Sequence, residues 1–147
     1  MNNWKFGLLP LFMKIYFVNC QNIYNYYELA LQKWCSNDYM IHGLWPQINV
    51  TEYPVYCEDV DYNEPIEPLL YSMQHYWKEC DNELWRHEWE KHGSCIKQQN
   101  NISDHNFFNK TLELFFLIQQ GSNNNCKDQK DCIVACFDLD YNIMNCP

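Results

Sequence analysis

At 147 residues the chain is long enough for one domain with a real core and too short for two. Apolar residues make up 47% and aromatics 17%, with six Trp and eleven Tyr, a composition that excludes disorder and supplies bulky anchors for a compact interior. The formal net charge of -9 excludes a protein that holds nucleic acid by general phosphate attraction, so any such ligand needs a local cationic site, gripped more easily at acid pH.

The first twenty residues read as a secretory signal: Lys5 gives a positive start, Phe6 to Val18 is mostly apolar, and Val18 and Cys20 suit cleavage after Cys20. Pro10 and Lys14 interrupt that pattern; an internal start at Met13 or a buried N-terminal strand are the alternatives. Nine Cys is an awkward count for a secreted chain, and loss of Cys20 leaves eight, which can pair completely. Loss of Lys5 and Lys14 takes the charge to -11, eight basic against 19 acidic residues. The sequons at Asn49, Asn101 and Asn109 fit the same oxidising compartment. No apolar run reaches the roughly 18 residues needed to cross a membrane, so no anchor is expected. Residues 21–147 are expected to form one secreted or lysosome-like lumenal domain, monomeric. Zinc is a competing use of cysteine, but Cys126, Cys132 and Cys136 lack the tight C-x-x-C spacing that sets two thiolates on one metal.

Residues 26 to 34, YYELALQKW, alternate bulky and polar positions as a strand does. A second strand is predicted through Tyr39, Met40, Ile41 and His42, stopping at Gly43, with Pro46 forbidding continuation, so that His42 sits at a strand end. Between Glu64 and Trp77, Leu69, Leu70, Met73 and Tyr76 recur at helical spacing, with Pro65 and Pro68 tolerated near the start. Residues 82 to 92 read as a helix that Gly93 ends. Ser103 and Asp104 can cap a helix whose Phe107, Phe108, Leu112, Phe115 and Phe116 form an apolar face ending before Gly121. Gly121 to Lys130 reads as a surface loop, and 132 to 146 as a hairpin turning near Asp140. Strands and helices follow no regular βαβ rhythm, which predicts an α+β fold with a mainly antiparallel sheet.

The densest chemistry is HEWEKHGSC, residues 87 to 95. At 3.6 residues per turn His87, Lys91, Glu88 and His92 fall at roughly 0°, 40°, 100° and 140°, four ionisable groups on one arc, with Trp85 and Trp89 beside them to bury the helix. A lone His beside a Glu is commonly a solvated face; two His, a Lys and a Glu on one arc are not so easily dismissed. An H-E-x-x-H zinc site is excluded by spacing, because the second His is five residues on. RNA cleavage needs what this cluster offers. The 2'-hydroxyl must lose a proton, the 5'-oxygen must gain one, and charge builds on the phosphate between them. Imidazole titrates near neutrality, so one ring can serve as base while a second serves as acid. IHGLWPQ, residues 41 to 47, supplies a second imidazole, His42, beside Trp45, an aromatic platform for a nucleobase.

IHGLWPQ followed about 40 residues later by WRHEWEKHGSC resembles the two active-site segments of the ribonuclease T2 family, the secreted acid ribonucleases that include fungal enzymes and plant self-incompatibility ribonucleases. The resemblance extends to YYELALQKWC, SDHNFFNKTLELF and CFDLDYNIMNCP. It implies an antiparallel sheet flanked by helices. It also implies that His42 and His92 are the acid and base, with His92 acting on the 2'-hydroxyl, that His87 binds phosphate, and that Glu88 and Lys91 steady the transition state. Trp45 would stack on a base, joined by Tyr53. The implied reaction is endonucleolytic transesterification of single-stranded RNA to a 2',3'-cyclic phosphate, opened to a 3'-phosphate, with no metal or other cofactor and with low base specificity. The resemblance further implies disulfides Cys57 with Cys95 and Cys136 with Cys146, leaving Cys35, Cys80, Cys126 and Cys132 with three possible pairings. The departure lies between Leu117 and Cys132, where the family carries a longer run and this chain has QQGSNNNCKDQKDC. That shortening leaves open a second reading, a secreted effector or RNA-binding protein that keeps the fold with weak or no catalysis.

Overall fold

The computed structural model describes residues 22–33, 36–78, 83–120, 126–129 and 132–147, with the backbone alone at 126–129 and 132. The predicted leader lies outside the described residues, as do Cys35, Cys80 and the side chains of Cys126 and Cys132. Strands β1 (Tyr26–Gln32), β2 (Met40–Gln47), β3 (Cys126–Gln129), β4 (Cys132–Phe137) and β5 (Ile143–Met144) form one antiparallel sheet in the order β2-β1-β4-β3, with β5 also on β4. Helices α1 (Leu69–Tyr76), α2 (Leu84–Glu88), α3 (Ser94–Asn100) and α4 (Asp104–Gln119) accompany it. This is the α+β class with an antiparallel sheet that the pattern predicts. Among the described residues no helix is long and apolar enough to cross a membrane.

β1 is a central strand and is covered on both faces. Tyr27, Leu29 and Leu31 enter the main core with Ile41, Leu44 and the aromatic residues of α4, while Tyr26 and Ala30 join Val134 and Cys136 on the other face. β2 departs from expectation: it does not stop at Gly43 but runs on through Pro46, which pairs with Tyr27. β2 lies at the edge of the sheet, where half of the backbone N–H positions face no partner, so a residue without N–H is tolerated. The predicted loop after Gly121 also departs, because Cys126–Gln129 pairs with Cys132–Ala135 as β3; a polar sequence is compatible with a sheet edge.

α1 buries Leu69 and Met73, one turn apart. α4 begins as predicted, with the Ser103 hydroxyl accepting the N–H of Asn106 at 3.2 Å. Its Phe107, Phe108, Leu112 and Phe115 are buried, whereas Phe116 stands at the margin, edge-on to Tyr76. The terminal hairpin turns on Asp138, whose carboxylate accepts the N–H groups of Asp140 and Asn142, both at 2.9 Å.

The predicted 82–92 helix is the largest correction. α2 and α3 are parts of one helical run, joined through a π turn at Trp89–Gly93, and Gly93 continues the run instead of ending it. Its φ of -62° is ordinary right-handed helix. Glycine is needed there for space, since a Cβ would lie 2.2 Å from Cε3 of the Trp89 ring. Trp89 is buried against Phe107, with ring centroids 5.6 Å apart.

Candidate active site

Two irregularities bring the predicted site residues together. In the β1–β2 ladder Leu31 pairs with Ile41 and Ala30 with Gly43, which leaves His42 as the extra residue of a β-bulge. His42 is therefore not at a strand end. A bulge re-aims its side chain out of the alternating pattern, and the His42 carbonyl accepts the indole N–H of Trp77 at 2.9 Å. Trp77 in turn accepts the indole N–H of Trp85 at 2.7 Å on its own carbonyl, so the strand bulge and α2 are linked through the core.

The second irregularity is the π turn. Closing each turn with i→i+5 bonds places a fifth residue in it, so His92 comes round toward His87 further than the 140° of a regular helix. Glu88 and His92 are buried at 1% and 3% exposure, while His87 is exposed. The Glu88 carboxylate meets β2: Oε2 accepts the Trp45 indole N–H at 2.9 Å, and Oε1 lies 3.6 Å from His42 Nε2. Gly43 makes that approach possible, because a Cβ there would lie 1.9 Å from Glu88 Oε2. The Trp45 ring lies close to both imidazoles, 5.5 Å from His42 and 5.6 Å from His92 by centroid, and Tyr53 lies 6.3 Å from His92.

Electrostatics separate these groups. Burial pushes the Glu88 carboxyl up to about 8, against the opposing pull of the Trp45 hydrogen bond and the Lys91 charge. Burial lowers His92 to about 3, helped by the charges of Lys91, His87 and His42. His92 Nδ1 is buried with no hydrogen-bond partner among the described residues. His92 is thus held neutral, with His87 near enough for its charge to be felt.

Beside His92 opens a cleft of about 250 Å³ lined by Trp45, Tyr53, Lys91 and His92, together with Glu28, Gln47, Val50 and Thr51. Sequence reasoning gave no role to these last four. A lone acidic residue within the otherwise apolar run of β1 was the available signal for Glu28. The loop that carries Tyr53 is pinned to the helix: Tyr56 N–H donates to the Lys91 carbonyl at 2.8 Å, Cys57 N–H to Ser94 Oγ at 3.1 Å, and the Cys57–Cys95 disulfide closes the link. Tyr56 takes a left-handed φ of 51° at that point. The Cys136–Cys146 disulfide staples the terminal hairpin. Both bridges are those the resemblance implies. Among the described residues no three His, Cys, Asp or Glu side chains gather as a metal site.

The family model described as the Ribonuclease T2 family matches residues 11–136. The chain belongs to the Ribonuclease T2 family. Similar members include extracellular ribonuclease LE of Solanum lycopersicum, 39% identical over 88 residues, covering 52% of this chain and 36% of that protein. Ribonuclease M of Aspergillus phoenicis is 31% identical over 106 residues, covering 54% of this chain and 43% of that protein. Matches to these curated relatives span well under half of their length. Among solved structures, the self-incompatibility-associated SF11-RNase of Nicotiana alata shares the fold with a TM-score of 0.63 at 19% identity, over 84% of this chain and 92% of that one. Ribonuclease MC1 from bitter gourd seeds does so with a TM-score of 0.61 at 17% identity, over 84% and 95%.

Proposed function

We propose that this Ribonuclease T2 family member is a secreted endoribonuclease that cleaves single-stranded RNA by transesterification. The observation that supports the reading is the closeness of both His42 and His92 to the Trp45 ring, 5.5 and 5.6 Å by centroid, with Lys91 and an open cleft beside His92. His92, neutral down to acid pH, takes the proton of the 2'-hydroxyl as that oxygen attacks phosphorus. His42, within ion-pair reach of Glu88, donates a proton to the departing 5'-oxygen. Lys91 and His87 meet the charge that builds on the non-bridging oxygens, and Glu88 keeps the proton near His42. The product is a 2',3'-cyclic phosphate, which water opens to a 3'-phosphate with the two imidazoles in exchanged roles. Both proton transfers and the charge stabilisation are supplied by side chains, so the scheme requires no metal. Trp45 and Tyr53 stack on the base of the attacked nucleotide. Residues 1–20 act as the leader and the mature chain works as a monomer.

The test is digestion of a defined single-stranded RNA across pH 3 to 8 with chelator present. Wild type is expected to release cyclic-phosphate ends with a bell-shaped profile on the acid side, and His42→Ala and His92→Ala are each expected to lose about 10²- to 10⁴-fold in rate. Full activity in either variant would overturn the scheme.

A further inference from the structure

Glu28 and Gln47 have no part in the proton transfers, yet both line the cleft beside His92. They come from adjacent strands. Glu28 pairs with Trp45, and Tyr26 with Gln47, so Glu28, Trp45 and Gln47 share one face of the β1–β2 ladder. Gln47 is 6% exposed, and its Nε2 donates to Glu28 Oε2 at 3.2 Å. That contact fixes the amide. A carboxylate can only accept, so Gln47 must turn its NH2 toward Glu28, and its Oε1 is left as an acceptor. These two residues bring a carboxylate and a side-chain amide to the cleft, beside the Trp45 and Tyr53 rings on which a base would stack.

We infer that Glu28, held by Gln47, selects the base that enters this cleft, favouring guanine and disfavouring uracil. The inference rests on the proposed nuclease reading and deepens it. Guanine presents two adjacent donors on its Watson–Crick edge, N1–H and N2–H2, and so offers an accepting carboxylate more adjacent donors than the other bases do. Adenine and cytosine each present a single amino donor beside a ring acceptor. Uracil presents one N–H flanked by two carbonyls, which would face the Glu28 carboxylate with like polarity. Because His92 lines the same cleft and takes the 2'-hydroxyl proton in the proposed scheme, the selected base belongs to the nucleotide on the 5' side of the cleaved bond. The expected selectivity is thus narrower than the broad preference that the family resemblance implies.

The experiment compares kcat/KM for the four dinucleoside monophosphates GpU, ApU, CpU and UpU, for wild type and Glu28→Gln. Wild type should favour GpU over UpU by at least about tenfold, the scale of one good bidentate base contact. Glu28→Gln keeps the shape but replaces one acceptor oxygen with a donor, and should reduce that ratio by about tenfold. Rates for wild type within about twofold across the four substrates, or a Glu28→Gln effect equal on all four, would overturn the inference while leaving the nuclease reading standing. A parallel binding titration with guanosine and uridine 3'-monophosphates, read through Trp fluorescence, does not depend on turnover. If no dinucleotide is cleaved but guanosine 3'-monophosphate still binds about tenfold tighter in wild type only, the nuclease reading fails and the selectivity survives. Equal binding of the two nucleotides overturns the selectivity on its own.

Discussion

β2 and the helical run from Leu84 to Asn100 face each other across the site, and each breaks its own regularity where it delivers an imidazole. The strand inserts one extra residue at His42; the helix widens to a π turn that contains His92. The outcomes differ. His42 keeps 20% of its side chain exposed and sits 3.6 Å from a carboxyl group, whereas His92 is 3% exposed with a ring nitrogen that has no hydrogen-bond partner among the described residues. A partly open imidazole beside a proton reservoir suits an acid, and a dry neutral one suits a base. The difference teaches that the environments of two chemically identical side chains, and with them the roles proposed for each, are set by their supports. One rests on an edge strand, and the other on a helix packed into the core.

The largest expected effect comes from cutting the covalent support of the helix side. The Cys57–Cys95 disulfide closes a separation of 38 residues, and on chain-entropy grounds a loop of that size contributes about 4 kcal/mol. The double variant Cys57→Ala, Cys95→Ala should therefore show a lower urea midpoint. It should also raise KM for RNA more than it lowers kcat, because the freed loop carries Tyr53 while His42 and Glu88 keep their contacts to β2. A proportionate loss in kcat alone would mean that the disulfide supports the histidines and not the cleft.

A matched pair of glycine variants sharpens the contrast at smaller cost. Gly43→Ala drives a methyl into Glu88 Oε2 and Trp45 Nε1, at 1.9 and 2.6 Å, so either the carboxylate or the indole must move. Gly93→Ala drives one into the Trp89 ring, which faces the core. Overpacking costs about 1–3 kcal/mol in each case, offset in the helix by about 1 kcal/mol of better alanine propensity. Thermal midpoints and kcat/KM measured together should separate them. Gly43→Ala should lose activity out of proportion to stability, and Gly93→Ala should lose stability first. A Gly93→Ala protein more stable than wild type would restore Gly93 as a mere interruption of the helix.

These same irregularities mark where the sequence stopped being legible. Apolar spacing predicts α1 and α4, and the Ser103 cap, because those elements obey the local rules of helices. The juxtaposition of His42 with the 87–92 cluster was accessible from chemistry and resemblance together. The bulge and the π turn were not, since each is imposed by partners distant in sequence: Trp77 holding the His42 carbonyl, and Tyr56 taking the Lys91 carbonyl. Pro46 misled for a related reason. Whether a proline can stand in a strand depends on which side of the sheet is open, and no local pattern carries that information. Glu28 offered only the signal of a lone carboxylate in β1, because its significance lies in its neighbours Gln47 and Trp45 across the ladder.

The smallest expected effect is the most discriminating, because it reads the two buried groups through stability alone. His92 sits at about 3 in the folded chain against an ordinary value of 6.5. Between those values the unfolded chain holds a proton that the folded chain does not, so stability is present above 6.5 and is lost as pH falls toward 3. Glu88 sits at about 8 against 4.5. There the folded chain holds the extra proton, so stability is present below 4.5 and is lost as pH rises through 8. Each group alone gives a slope of at most about 1.4 kcal/mol per pH unit. The two slopes oppose one another between 4.5 and 6.5, which predicts a plateau there with a falling limb on either side. Urea unfolding from pH 3 to 8.5 should show His92→Asn flattening the acid limb and Glu88→Gln flattening the alkaline one. If His92→Asn left the acid limb as steep as in wild type, the histidine would not be the group buried without its proton. The contrast between the two imidazoles would then lose its electrostatic basis.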